Sequence, residues 1–233
     1  MRPKGAHAAM AMPRASETIA AFGEAQSLRD VAYETIKHKI ITCAFQPGEY
    51  INEAAVSAQI GIGRTPVHQA VERLALEGMV DVMPRKGVIV KPLSLDQILQ
   101  IVEVRALNES FCVRLAAERA DHHEILQLQD ILSRSAQWID VRNSEELMLL
   151  DREFHGVLAR ASKNNILADC LAKLHDRSLR FWFVSLDKPG HHRNVQEQHE
   201  AILAAIKARN PDAAEAAMRA HIEDFRNNLM RNI

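Results

Sequence analysis

Cysteine is scarce in this chain, with three residues in 233. Cys43, Cys112 and Cys170 form no close pair and are odd in number, which excludes a disulfide scaffold and leaves buried thiols in a reducing compartment as the expectation. A second absence is any apolar run of about 20 residues, so no transmembrane helix is expected. Excess charge of one sign is also missing: 29 Lys and Arg stand against 30 Asp and Glu, a net charge of −1. Within Leu28 to Pro92 the basic and acidic side chains again nearly balance, so a nucleic-acid-binding patch, if present, must be local. Internal repeats, low-complexity tracts and heptad runs of useful length are lacking too, which removes solenoid and coiled-coil architectures. The length suffices for two modest domains, each with its own core.

Residues 1–26 are rich in Ala and Met with scattered charges, and Pro3 and Pro13 break any long helix, so a disordered leader is expected. Arg2 and Lys4 ahead of an alanine-rich stretch give the outline of a secretion signal, but His7, Pro13 and Arg14 interrupt the apolar region. A cytoplasmic protein is the expectation.

The stretch Arg64 to Val90, RTPVHQAVERLALEGMVDVMPRKGVIV, reads as a helix running into a two-stranded wing. Thr65 can cap the helix while Pro66 occupies the first turn, where its missing N–H costs nothing, so the helix is expected from about Pro66. Val67, Ala70, Val71 and Leu74 recur at helical spacing as a buried stripe. That leaves Arg64, Thr65, His68, Gln69 and Arg73 for an outside partner. Gly78 stops the helix, and Val80–Met83 and Val88–Val90 are β-prone runs joined through Pro84, Arg85, Lys86 and Gly87. Upstream, Leu28, Val31, Ala32, Thr35, Ile36 and Ile40 make one apolar helix face. A Gln46-Pro47-Gly48 turn leads to a short helix from about Asn52 to Ile60, which Gly61 ends. This order is that of a winged helix-turn-helix over residues 27–92, whose later helix enters the DNA major groove. A small α+β packing domain has the same pattern, but an exposed Arg and Thr at a helix start and a basic wing tip suit phosphate and base-edge contacts.

These residues resemble the N-terminal domain of GntR-type bacterial transcriptional regulators, whose recognition helix runs close to SRTPVREAL, followed by LEAEGLV and a wing with an RG. The resemblance implies DNA contacts at Arg64, Thr65 and Pro66 and at Gly87 in the wing, flanked here by Arg85 and Lys86. Three positions depart from the family pattern. Gly63 replaces a common Ser or Thr, His68 a common arginine, and Ala54 an often basic residue.

Beyond Pro92 the strand signals vanish. Ser94 with Gln97 suggests a capping box for a helix to about Ala120. Further helices are expected over Asp121–Ile139, Ser144–Ser162, Asn165–Ser185, Asn194–Ala208 and Pro211–Arg231, with turns at Lys163–Asn165 and Asp187–Gly190 and Asn210 as the last cap. Residues 93–233 thus read as an all-α antiparallel bundle able to enclose a cavity, and the whole chain as mainly α. Asp151 and His155 are spaced i, i+4 on one face. His199 shares a face with Ile202 and Ile206, and His221 with Met218 and Phe225. One carboxylate and three imidazoles converging from three helices would make a nitrogen-rich site for Zn²⁺, Ni²⁺ or a similar divalent ion. Hydrogen-bonded core histidines and an intrahelical Asp–His pair are the alternative. An inward Arg105 would suit the carboxylate of a small organic acid, with Arg177 and Arg180 as secondary candidates; otherwise Arg105 pairs with Glu109 or Glu103.

The second half is similar to the FCD ligand-binding domain of the FadR-like subgroup of those regulators. The match is carried by EVRALNES, by DREFHGVLARASKN, and by His199, Ile202, Ala205, Ile206, Met218 and His221. The resemblance implies that Asp151, His155, His199 and His221 are metal ligands and that metal and effector carboxylate share the bundle cavity. His122, His123, His191 and His192 match no family ligand. Together these features point to a metabolite-responsive repressor that binds a palindromic operator as a homodimer. A metal-dependent helical-bundle enzyme is the alternative, with no HExxH motif to support it.

Overall fold

The structure, a computed structural model, describes residues 27–83, 87–92, 94–141, 143–185 and 191–231. The expected leader and the Asp187–Gly190 turn lie outside them. Helix α1 (Leu28–Ile41) starts at Ser27, whose hydroxyl accepts from the Asp30 N–H, and buries Val31, Ala32, Tyr33, Ile36 and Ile40. Strand β1 (Tyr50–Ile51) follows the Pro47-Gly48 turn. Helix α2 (Glu53–Ile60) is capped by the Asn52 side chain on the Ala54 and Ala55 N–H groups and ends at Gly61, φ 68°. Helix α3 runs Arg64–Leu76 with Gly63 at the cap and no side-chain cap bond. It therefore begins two residues before the expected Pro66, and Thr65 is not its cap. Pro66 now stands at the third helical position, where a backbone N–H still has no intrahelical acceptor to lose.

Strands β2 (Val80–Met83) and β3 (Gly87–Val90) form the antiparallel wing, with Val80 opposite Val90 and Met83 opposite Gly87. Tyr50 pairs with Ile89 and Ile51 with Val88, giving the sheet order β1-β3-β2. The sequence did not announce β1, because two residues are too few for an alternating pattern. Gly87 has φ 98°, and a Cβ there would stand 3.3 Å from the Ile51 carbonyl oxygen, so the wing needs glycine both for backbone angle and for approach to β1.

Among the described residues six helices build the second unit: α4 (Leu95–Arg119), α5 (His122–Ile139), α6 (Ser144–Ala161), α7 (Asn165–Ser185), α8 (His191–Lys207) and α9 (Pro211–Arg231). Helix α8 begins three residues ahead of the expected Asn194. At the start of α4 the Ser94 hydroxyl accepts from the Gln97 N–H at 3.5 Å, without the reciprocal bond; the two-way capping box is instead Asp121 with Glu124 on α5. Phe154, Met148, Leu158, Ile131, Ile202 and Met218 fill the interior. Of the cysteines only Cys112 is buried. Cys170 is exposed, and Cys43 lies in the turn after α1 at φ 55°, so the expectation of three buried thiols fails where helices end or face outward. Among the described residues no helix is long and apolar enough to cross a membrane.

The two units meet where α1 crosses α7. Buried Lys37 pairs there with buried Asp176 and donates to the Tyr33 hydroxyl at 2.7 Å, while Tyr33 donates to Glu77 at the end of α3, also at 2.7 Å. Arg152 on α6 donates to Asp176 at 2.6 Å and reaches Glu34 at 3.5 Å. Outside this group His38 stands 2.9 Å from Glu145. Lys37→Met should destabilise the protein by about 3 kcal/mol, the low end for halving a buried pair, because Arg152 still balances Asp176. Urea unfolding of the single variant and of Lys37→Met with Asp176→Leu checks this: the double variant should recover part of the loss, and a single-variant cost within error of zero would remove the ion cluster from the account of how the units are joined.

Candidate nucleic-acid interface and metal centre

Helix α3 buries Val67, Ala70, Val71 and Leu74 against α1 and so turns Arg64, Thr65, His68 and Gln69 to solvent, with Pro66 half-buried. Arg64 makes no ion pair with any described residue. His68 has its Nδ1 3.1 Å from Glu53 and its Nε2 3.5 Å from Glu72. Its hydrogen bond to Glu53 raises its pKa above the ordinary histidine value. Arg73 is differently placed from the others. Its guanidinium stacks 3.6 Å from the centre of the Tyr33 ring, bonds Glu77 at 3.2 Å and reaches Asp30 at 3.7 Å, so it braces the last turn of α3 against α1 instead of standing free. Arg85 and Lys86 lie outside the described residues, and Gly87 opens β3 beside them.

In the helical unit Asp151, His155, His199 and His221 are all buried, and one potential ligand atom from each lies within 4.8 Å of the others. Helix α6 supplies the first two from adjacent turns, α8 the third and α9 the fourth. The His199 ring stacks on Phe154 with centroids 4.3 Å apart, and its Nε2 stands 3.5 Å from Asp151 Oδ1. His155 turns Nδ1 toward Glu109, 2.7 Å away, and His221 turns Nδ1 toward the Gln198 amide oxygen, 2.8 Å away. A proton on Nδ1 suits that carboxylate, which can only accept, and leaves the Nε2 lone pair free. The Nε2 atoms of His155 and His199 are buried without a hydrogen-bond partner. Such atoms are costly unless something fills them, and a divalent ion between neutral imidazoles and a carboxylate does so. The donor set therefore fits a metal of the Zn²⁺ or Ni²⁺ type.

Electrostatics keeps Asp151, His199 and His221 in ligand form. Burial opposes the imidazolium and lowers His199 to about 3; burial likewise lowers His221 and His175. Burial by itself would raise Asp151, but the hydrogen bond from His175, with the histidine rings packed around the carboxylate, outweighs it and holds the carboxyl well below the usual range. For Glu109 burial is again outweighed, by Arg105 and His155.

Arg105 is buried, donating to Glu109 Oε1 at 2.5 Å and to the Ser178 hydroxyl at 2.7 Å. Its position inside the bundle is the expected one, and its partner is the Glu109 carboxylate of the structural alternative. Arg177 and Arg180 are not in this cavity. Arg180 donates to the Lys91 carbonyl at 2.7 Å, and Arg177 packs on Gly78, both at the seam with the winged unit. Helical phase explains this: Ser178 and His175 take the inward face of α7, and residues 177 and 180 look past it. His175, which the sequence reading did not single out, stands 3.2 Å from Asp151 Oδ2. Its signal was its place in the buried row Leu171, His175, Leu179. Beside His155, His175 and Glu109 opens a cavity of about 450 Å³ with apolar walls from Val113, Leu171 and Met218 and with Arg152 and Arg160 at its edge.

Comparison with known proteins agrees with this two-part structure. Residues 28–90 match the profile of bacterial regulatory proteins, gntR family, and residues 100–224 that of the FCD domain. The Nta operon transcriptional regulator of Aminobacter aminovorans is 33% identical over 77% of this chain and 83% of its own. The transcriptional repressor RspR of Escherichia coli is 26% identical over 86% of this chain and 88% of its own. The solved structure of Escherichia coli McbR/YncC superposes with a TM-score of 0.80 at 23% identity, covering 89% of this chain and 99% of that one, and so shares the fold.

Burial of neutral imidazoles sets an acid limit on the metal-free protein. Unfolded, His175, His199 and His221 protonate near 6.5; folded, they do so only at lower pH. Below 6.5 the unfolded chain thus binds more protons, and stability present at neutral pH is lost as pH falls toward the folded values. Each such imidazole should cost about 1.4 kcal/mol per pH unit. Urea midpoints measured between pH 7 and pH 5 on chelator-treated protein should fall steadily, and His199→Leu should flatten the slope; an unchanged slope in that variant contradicts a neutral, buried His199.

Proposed function

From the premise that this chain belongs to the gntR family of bacterial regulatory proteins and carries an FCD domain, we propose that it is a metabolite-responsive repressor that senses a small carboxylate through a divalent ion. It is a DNA-binding transcriptional regulator and not an enzyme. The finer reading rests on one observation above the others: four ligand atoms from three helices converge within 4.8 Å, and the Nε2 atoms of His155 and His199 are buried there without a partner. Asp151, His155, His199 and His221 would hold the ion, which would supply an electrophilic anchor for an acid's oxygens. The cavity beside His155 offers the acid room, and Arg105, through Glu109, shares in the charge balance of that wall.

The reading of DNA falls to the start of α3. Exposed Arg64 and Thr65 meet phosphate and base edges, with Pro66 fixing the helix entry and His68 and Gln69 one turn on, and Arg85 and Lys86, next to Gly87 in the sequence, add basic charge for the DNA backbone. A palindromic operator needs two readers, and Val104, Leu107 and Phe111, exposed on one face of α4, form the apolar stripe on which a second copy packs to make a homodimer. Coupling between acid and operator passes through side chains that serve both units. Arg152 and Asp176 line the cavity and also bind Glu34 and Lys37 of α1, so an acid that draws on Arg152 changes the hold on the winged domain.

Arg64→Ala should weaken operator binding by about 1–3 kcal/mol while leaving the dimer intact. Gel shifts on fragments from the adjacent genes, at matched salt and with sedimentation as the control, decide it; unchanged affinity removes Arg64 as a reader. For the metal, purification without chelator or affinity tag should give about one divalent ion per chain by elemental analysis, bound at the four named residues. His221→Ala should release the ion and lower the melting temperature of the metal-loaded protein toward that of the metal-free one. Wild-type protein that refuses Zn²⁺ and Ni²⁺ at micromolar concentration overturns the metal reading.

A further inference from the structure

Three of the candidate ligands owe their orientation to a neighbour: His155 to Glu109, Asp151 to His175 and His221 to Gln198. The first two neighbours are fixed by burial. Gln198 is not, because an amide can present either its oxygen or its nitrogen to an imidazole, and the two choices select opposite tautomers. We propose that Asp224 settles this choice and thereby acts as the positioning residue that turns the lone pair of His221 Nε2 toward the ion. The inference rests on the metal reading above and adds to it a residue that touches neither the ion nor its ligands.

The geometry runs outward from the site. Gln198 Nε2 donates to Asp224 Oδ2 at 3.1 Å, and the same oxygen accepts from Asn194 Nδ2 at 2.8 Å and from Asn228 Nδ2 at 3.1 Å. Asn194 and Gln198 are one turn apart on α8, and His221, Asp224 and Asn228 follow one another along α9, so two helices in register build the relay. An ionised carboxylate has no proton to give, so each of the three amides must show it nitrogen. Gln198 then has only its oxygen left for His221. That oxygen can only accept, so Nδ1 carries the ring proton and Nε2 is unprotonated. Reversing the Gln198 amide would put two acceptor oxygens face to face at Asp224. Asp224 is only half-buried, so this constraint is imposed on a buried imidazole from a position where solvent and substitution are tolerated.

Asp224→Asn is the direct test, because its own amide can face Gln198 with either end and the selection is lost. Long-range proton–nitrogen spectra of metal-free protein should show His221 as the Nδ1-protonated tautomer in wild type and as a mixture in Asp224→Asn. The dissociation constant for Zn²⁺ should rise about 10- to 100-fold, the usual effect of removing a ligand's orienting partner. Asp224→Glu should restore both. A purely structural role would instead lower the melting temperature without moving the tautomer. If wild type binds Zn²⁺ and Asp224→Asn keeps both the tautomer and the affinity, the relay is wrong while the metal site stands. If wild type takes up no Zn²⁺, the metal site falls, and the relay's purpose falls with it.

Discussion

Helices α6 and α7 each carry two consecutive polar residues that meet different partners, and buried charge makes that arrangement binding on the rest of the molecule. Asp151 faces the histidines while its neighbour Arg152 faces α1; His175 faces Asp151 while its neighbour Asp176 meets Lys37. A buried charge without a partner costs several kcal/mol, so neither helix can rotate to suit one side without leaving the other unmatched. The histidine cluster and the seat of the DNA-reading unit are thereby locked to the same two helices. A change in the charge balance of the cavity has a short path to Lys37, Tyr33 and Glu77, and so to the last turn of α3.

The buried cluster of Asp151, His155, His199 and His221 is a second case of matching under burial. Its His199 and His221 rings are kept neutral by desolvation, and its carboxylate is kept ionised by the hydrogen bond from His175 and the rings around it, the protonation state that a divalent ion would require. Orientation is then supplied from outside the ligand set: Glu109, itself balanced by Arg105, fixes His155, and an amide held by a surface carboxylate fixes His221. In this frame Arg105 has a role even without an effector, since its loss would leave Glu109 as an uncompensated buried anion.

Much of this could be read from residue order. The recognition helix was legible because Val67, Ala70, Val71 and Leu74 leave Arg64, Thr65, His68 and Gln69 no place but the surface, and the wing because β-prone runs flank a glycine-bearing turn. Asp151 with His155 was legible because i, i+4 spacing fixes a shared face. Errors came where local chemistry allowed more than one outcome. Pro66 is tolerated at any first-turn position, so it did not mark the start of α3, and Ser94 with Gln97 had the residues of a capping box without closing one.

What the sequence determined by itself is periodicity: which residues share a helix face, where helices start and stop within a residue or three, and therefore that one carboxylate and three imidazoles point inward. Only the tertiary structure decided which inward faces meet. Which face of α7 looks into the bundle is settled by packing alone: it puts Ser178 and His175 there beside Arg105 and Glu109, while Arg177 and Arg180 turn to the winged unit. The two-residue strand β1 and the Lys37–Asp176 contact between units are of the same kind. Each depends on the relative placement of segments far apart in the chain, which burial and charge matching fix and which no local spacing encodes.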